Sequence, residues 1–542
     1  MLKRFICALL VIAAGLGIWY VANTTEDPDY TADRQSITQT NSEEAGASSE
    51  VATEAEEDNS LTLWYTDEAL TDYLSSVALS YEQDTGVKVN ISRRDGVQFL
   101  EAINEVSVKE PGEREEAMPD LYITSHDDLQ RAYLSGLAAI ITDPDNVILP
   151  SIYPQTALNA VTCYDHYVGY PLYYETNFFL YNKTYMASIA QNKIEADADQ
   201  AEGEAATQDL LENGVPEEDK EEAKDEDADK DKEEEQGEEG EEDGGMSAED
   251  ENPMGEEDAA ADPEVLEKLA TMIPETMEDV KTFANNYDAP EAVESVFKWD
   301  VSDIFYNYFF VGNYMDVGGE HGDNASVFNI YNGQAVECLK AYQAMNQFFS
   351  IDTKVDNYDK ILQDFIDGKM VFTVATTDSV ARIHEAAKNG EFEFEYGIST
   401  LPDITSLLKA RGLSVTDAVV INGYSEKQAD ANALATYLVY KKASDLYLKA
   451  GKVSCCKTVE FEDQEMGKIM DEYEKSMPLP KMVETSNFWV QLEIAFTKVW
   501  KGEDPDQILM ELSDTIGAQI EQIKANLPTQ ESFSAGAGGF VK

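Results

Sequence analysis

The segment beginning at Leu61 constrains the fold most. Leu61-Thr62-Leu63-Trp64-Tyr65 reads as a buried strand, and Thr66 and Asp67 can cap a helix behind it. Leu70, Tyr73, Leu74, Val77, Ala78 and Tyr81 then recur at helical spacing, and Thr85-Gly86 closes the helix. Val87-Lys88-Val89-Asn90-Ile91 alternates as a second strand. A strand–helix–strand unit of this length needs a right-handed crossover, hence a parallel sheet. The pattern returns. Asp120-Leu121-Tyr122-Ile123 is a strand, followed by the polar loop Thr124-Ser125-His126-Asp127 and a helix stopping at Gly136. Residues 168–172 and 178–181 read as two further strands, as do 369–374 and 417–421, and a long helix is expected over about 427–441. The class is α/β.

Charge divides the chain. Lys and Arg number 39 against 107 Asp and Glu, a net charge of −68. That excludes nucleic acid as a partner, since phosphates are held by Lys and Arg. Residues 193–262 hold 32 of the acids, 5 Lys and no aromatic residue. Such a stretch cannot bury enough apolar surface to offset its ordering entropy. It is expected to be a disordered insertion within a domain, and the acidic residues 23–60 a disordered tether.

Lys3 and Arg4 precede an 18-residue apolar run, Phe5 to Ala22. Positive charge before such a run keeps the N-terminus in the cytoplasm. The run meets the lower limit for a membrane span, roughly 17–25 residues. It reads as an uncleaved anchor in preference to a signal peptide, so the rest faces outside. Of the five cysteines, Cys7 lies in this run, and Cys163, Cys338 and the vicinal pair Cys455-Cys456 form no CxxC. Vicinal Cys455-Cys456 reads as a buried pair, not a redox site.

Nothing points to catalysis. No GxSxG, HExxH, GxxxxGKS or CxxC motif occurs, and the four histidines lack metal-site spacing. No metal and no cofactor is expected. His126 is the one histidine on a strand-to-helix loop, and reads as a residue that hydrogen-bonds locally. Loops at strand ends carry a different signal: Trp64-Tyr65, His126-Asp127, Tyr173-Tyr174-Glu175, Phe305-Tyr306 and Phe488-Trp489. Aromatic rings and carboxylates together suit sugars, whose C–H faces stack and whose hydroxyls donate.

These segments resemble the maltose-type extracellular solute-binding proteins of ABC importers, from Leu61 to about residue 528. The residues carrying the resemblance are Leu63-Trp64 with Tyr81-Glu82-Gln83-Asp84-Thr85-Gly86, Pro119-Asp120 to His126-Asp127, and Tyr170-Pro171-Leu172 with Phe179-Leu180-Tyr181-Asn182-Lys183. Pro274-Glu275-Thr276, Phe365-Ile366-Asp367-Gly368-Lys369-Met370 and Leu401-Pro402 follow in order. The resemblance implies a two-lobed periplasmic-binding-protein-like fold with crossing hinge segments. The first lobe would take residues 61–173 and 413–455, the second 174–412 and 456–528, with 529–542 as a tail. It implies a monomeric receptor on the outer face of the cytoplasmic membrane that binds a small solute and passes it to an importer permease. By motif position, Asp127 and Glu175 would bond sugar hydroxyls and Trp489 and Tyr306 would be aromatic platforms. Trp64, Glu68 and Asp378 complete the expected ligand-binding set. Thr124 and Asp378 stand where maltose binders place Trp, and Ala69 and Asp128 where they place cations. That argues for a more polar or shorter ligand than maltose. A polyamine or other polar solute is the alternative within the fold, and a non-transport sensor or surface scaffold the alternative outside transport.

Overall fold

A computed structural model describes residues 59–213, 262–485 and 487–526. The expected anchor and most of the tether therefore lie outside the described residues. Within them, no helix is long and apolar enough to cross a membrane.

The opening unit forms as its pattern requires. Strand β1 (Ser60–Tyr65) leads through a short turn into the helix Thr71–Thr85, which ends at Gly86 with φ 76°, a conformation that favours glycine. Strand β2 (Lys88–Arg93) then pairs parallel to β1, and β3 (Leu121–Ser125) pairs parallel on its other side. A small hairpin follows, β4 (Thr162–Cys163) with β5 (His166–Tyr167).

The residues expected as two strands make one. Strand β6 runs unbroken from Tyr170 to Asn182. No Gly or Pro follows Pro171, and the intervening Tyr173-Tyr174-Glu175-Thr176-Asn177 offers no turn, so the strand continues through its polar middle. Strands β7 (Ser295–Phe297), β8 (Asp316–Val317), β9 (Phe328–Asn329), β10 (Met370–Thr376), β11 (Tyr396–Ser399), β12 (Leu413–Ile421) and β13 (Met477–Pro478) complete the set. The large sheet has the order β2-β1-β3-β12-β6-β10-β7, with β11 also on β6 and β13 on β12. Strand β6 changes partner midway. Residues Tyr170 to Thr176 pair with β12, and Asn177 to Tyr181 pair with β10. One strand thus joins both halves of the sheet, and the change falls between Thr176 and Asn177.

The core follows this path. Tyr174, Phe178 and Leu180 of β6 pack in one buried cluster with Leu63 of β1 and Ala375 of β10. Phe179 and Tyr181, on the alternate face, pack with Trp299, Phe310 and Trp500. Each such side chain contributes about 1.5–3 kcal/mol on burial.

The acidic stretch is not uniform. A helix runs from Lys183 to Asn213, so residues 193–213 are helical where a disordered loop was expected. The Ala-, Glu- and Gln-rich sequence favours helix. Gln191 and Gln200 bond Glu195 and Glu204 four residues on, each at 3.0 Å, and Lys268 of the helix Pro263–Ala270 reaches Asp197 at 2.8 Å. The remainder of that insertion, 214–261, lies outside the described residues. Farther on, the side chains of Thr276 and Asp279 form a reciprocal capping box on the helix Met277–Asn286.

Candidate functional site

The site gathers where β6 changes partner. Glu175 precedes the change by one residue. Thr377, just past the end of β10, places its hydroxyl on the Glu175 carboxylate and 3.2 Å from the Tyr174 carbonyl. Lys452 follows the helix Ala443–Ala450. Its ammonium lies 3.5 Å from Glu175 Oε1, 3.1 Å from Asp67 Oδ2 and 5.1 Å from the Tyr173 ring centre. Burial pushes the Glu175 carboxyl upward, and Lys452 and Thr377 oppose that.

Asp417 is the acid that pairing brings in. It lies on β12 opposite Tyr173 of β6 and Ser125 of β3, and is hydrogen-bonded to Tyr173. Its carboxyl is pushed up to about 7, first by burial, then by Glu175, Asp127 and Asp67, with Lys452 opposing. Asp127 accepts from Ser125, and Asp128 is turned to Arg131 at 2.8 Å.

On the β10 side, Asp378 opens the helix Asp378–Asn389. It accepts from Tyr358 Oη at 2.8 Å and from Thr376, and Arg382 stands 3.8 Å away. The Tyr306 ring stacks on Tyr358 with centres 4.7 Å apart and planes at 27°. Burial raises the Tyr306 phenol well above its ordinary range.

The structure therefore brings Asp127, Glu175, Asp378 and Tyr306 toward one connected constellation. It adds Tyr173, whose segment carried the aromatic signal, and Asp67, Tyr358, Thr377, Asp417 and Lys452, which lie outside the expected ligand-binding set. Asp417 had a readable signal: it is a lone acid in an otherwise apolar strand end, Ala418-Val419-Val420-Ile421. Lys452 had none, lying 277 residues from its partner Glu175.

Three expected residues sit elsewhere. Trp64 is 1% exposed and packs with Phe99, Ile103, Tyr122 and Val420, with the Arg94 guanidinium 3.9 Å above its ring. It is core, because a strand buried on both faces leaves no room for a platform. Glu68 points to solvent and pairs with Arg93 at 2.5 Å. Its neighbour Asp67 turns inward instead, one oxygen capping Ala69 N–H at 2.9 Å and the other on Lys452. Trp489, half-buried at the start of the helix Phe488–Trp500, stands edge-on to Tyr308 at 5.4 Å. No contact ties it to the carboxylates.

His126 is structural, but its partners are distant in sequence, not local as expected. It is fully buried, its Nδ1 accepts from Thr416 N–H at 3.0 Å and its Nε2–H donates to the Leu479 carbonyl at 2.8 Å. Burial, aided by Lys481, lowers its pKa to about 4. The four described cysteines are buried and free. Among the described residues no group of three His, Cys, Asp or Glu is placed to hold a metal.

Comparison with solved structures matches this architecture. An extracellular solute-binding protein from Staphylococcus aureus in complex with maltose superposes with a TM-score of 0.61 at 18% identity, covering 86% of this chain and 98% of that one. The fold is that of the two-lobed solute-binding proteins. A maltose-binding periplasmic protein from Listeria monocytogenes gives 0.58 at 18% identity over 85% of this chain and 98% of that one. A cyclo/maltodextrin-binding protein complexed with maltotetraose gives 0.59 at 15% identity over 85% and 97%. No protein-family model matches the chain.

Proposed function

We propose that this protein is an extracytoplasmic receptor that binds a small solute of the carbohydrate class between its lobes and hands it to an ABC importer without chemical change. One observation carries the reading. Glu175, on the strand shared by both halves of the sheet, is bonded from one half by Thr377 and from the other by Lys452. A ligand contacting this node touches both halves at once. Hinge closure about β6 then follows from its preference for the state in which both contacts are made. The solute-binding neighbours, crystallised with maltose or maltotetraose, support the sugar class. Lys3-Arg4 and the apolar run after them support tethering at the outer membrane face.

Thermal melting of the full-length protein against mono- and oligosaccharides, polyamines and amino acids tests this. A true ligand at 100 times its Kd stabilises by about 2.7 kcal/mol, a readily measured shift. A sugar that shifts the melt, and loses that shift in Glu175→Gln, supports the receptor. Silence from every compound contradicts it and favours the sensor or scaffold reading.

A further inference from the structure

A second set of polar contacts joins the two halves of the sheet. Cys163 of the hairpin β4–β5 packs with Tyr122 of β3 and Ala418 of β12. Val317 of β8 and Ile330, just after β9, pack instead with Phe297 of β7 and Val371 of β10. The loop between β8 and β9 reaches the hairpin. Asp323 accepts from the Tyr164 N–H at the hairpin turn, 2.7 Å away, and its carbonyl accepts from the Gln130 amide at 3.2 Å. Gln130 is buried and uses both ends of its amide. The nitrogen also bonds the Tyr164 hydroxyl at 3.0 Å, and the oxygen accepts from Val483 N–H at 2.9 Å. Lys481, on the chain leaving β13, works in the same way. Its N–H donates to the Gly322 carbonyl at 2.8 Å, and its buried ammonium donates to the Asn159 and Thr162 carbonyls at 2.8 and 2.7 Å.

The parts that meet here are each held in shape. Tyr164 and Asp165 have φ 48° and 64°, the left-handed pair of a two-residue hairpin turn, which few residues other than glycine adopt. The facing loop is closed on itself, Gly318 N–H to the Val327 carbonyl at 2.8 Å and Asn324 N–H to the Gly318 carbonyl at 2.9 Å. Gly322 has φ 66°, and a Cβ there would meet Pro480 Cα at 3.0 Å, so the loop lies directly on the chain after β13. Two stiff parts joined through a satisfied polar network have one preferred relative position.

We infer that the contact of Asp323 with Tyr164, backed by Gln130, is a latch that holds the two halves of the sheet at the angle seen here. At that angle Thr377 and Lys452 both reach Glu175. Contacts made in one arrangement and lost in another raise the population of the first. Releasing the latch therefore loosens the Glu175 node, although the latch residues lie on other elements.

Hydrogen–deuterium exchange of the full-length, ligand-free protein tests this with three variants. Asp323→Ala removes the carboxylate. Gly322→Ala pushes the loop off Pro480 and leaves every hydrogen-bonding side chain in place. Asp323→Asn keeps an oxygen for the Tyr164 N–H. In the first two, exchange is expected to quicken by about fivefold or more at 376–378 and 451–455, segments of the node, as well as at 162–166. Asp323→Asn is expected to exchange like the parent. Faster exchange confined to 159–168 and 318–327 would make Asp323 a local anchor of the hairpin and overturn the latch. Unchanged exchange throughout would overturn it too, as would an Asp323→Asn variant as fast as Asp323→Ala. Loss of the cooperative melt in both alanine variants would make the loop part of the core and count equally against it. The measurement needs no ligand, so its failure leaves the receptor reading untouched.

Discussion

Two buried polar regions of this molecule are treated differently. Around β3 and the end of β12, Asn422 donates to Ser107 Oγ at 3.0 Å and to the Pro119 carbonyl at 2.8 Å, and accepts from Tyr424 N–H at 3.1 Å. Nearby, Tyr170 reaches Asn432 at 2.6 Å and Tyr73 reaches the Leu438 carbonyl at 2.9 Å. Every one of these groups is satisfied. Along the middle and far end of β6 the accounting fails. Of seven buried side-chain polar atoms without partners among the described residues, four belong to Tyr174, Asn177 and Asn182. A sequence under selection for stability alone would fill such positions with apolar residues, because unpaired buried polar groups cost about 1–3 kcal/mol each. Local rules are broken chiefly where function requires it. The unpaired atoms concentrate on β6, the strand of the proposed ligand node, although Trp64 Nε1 and Arg94 Nε beside β3 and β12 are unpaired as well.

The two asparagines put that contrast at risk. Asn422→Leu strands three hydrogen-bonding partners in the interior and is expected to cost roughly 2–4 kcal/mol in chemical denaturation. Asn177→Leu strands none, and is expected to leave stability unchanged or raise it by about 1 kcal/mol while weakening ligand binding. Equal losses in both would remove the distinction between the regions.

Acid acts in opposite senses on two groups that meet at β3 and β12. Asp417 titrates in the fold at about 7, above its ordinary 3.8, so the native state holds more protons than the unfolded one between those values. Its contribution therefore improves as pH falls from about 7 toward 4. His126, neutral in the fold with a pKa of about 4 against 6.5, acts in the opposite sense, and its stabilisation is lost as pH falls from 6.5 to 4. Melting curves across pH 4–8 should show Asp417→Asn steepening the loss of stability on acidification. An unchanged slope would mean that Asp417 is not held under the repulsion described. The smallest expected effect is at the surface: Glu68→Ala breaks only an exposed pair with Arg93 and should change stability by less than about 1 kcal/mol and leave binding alone.

Much of the framework was legible because it is local. The opening strand–helix–strand unit and the stop at Gly86 depend on residues within one turn or one strand. The continuity of β6 was not legible, since Glu175 to Asn177 interrupt an apolar run exactly as a loop would, and only pairing with β12 and β10 keeps them extended. The same limit applied to the site. Asp127, Asp378 and Tyr306 fall at strand or helix ends, where a candidate stands out in sequence, whereas Glu175 lies within β6. Lys452 and Asp417 are brought to Glu175 by the fold, from hundreds of residues away. Trp64 shows that an aromatic ring at a strand end looks the same in sequence whether it faces a cleft or a core.

The central claim is that Glu175 is where ligand meets both halves of the molecule. The most direct test is isothermal titration of the compound that best shifts the melt, comparing the parent protein with Glu175→Gln, whose shape is preserved and whose charge is lost. The account predicts at least a tenfold loss of affinity, about 1.4 kcal/mol, with folding intact. Unchanged affinity would contradict it and place the ligand elsewhere on the molecule.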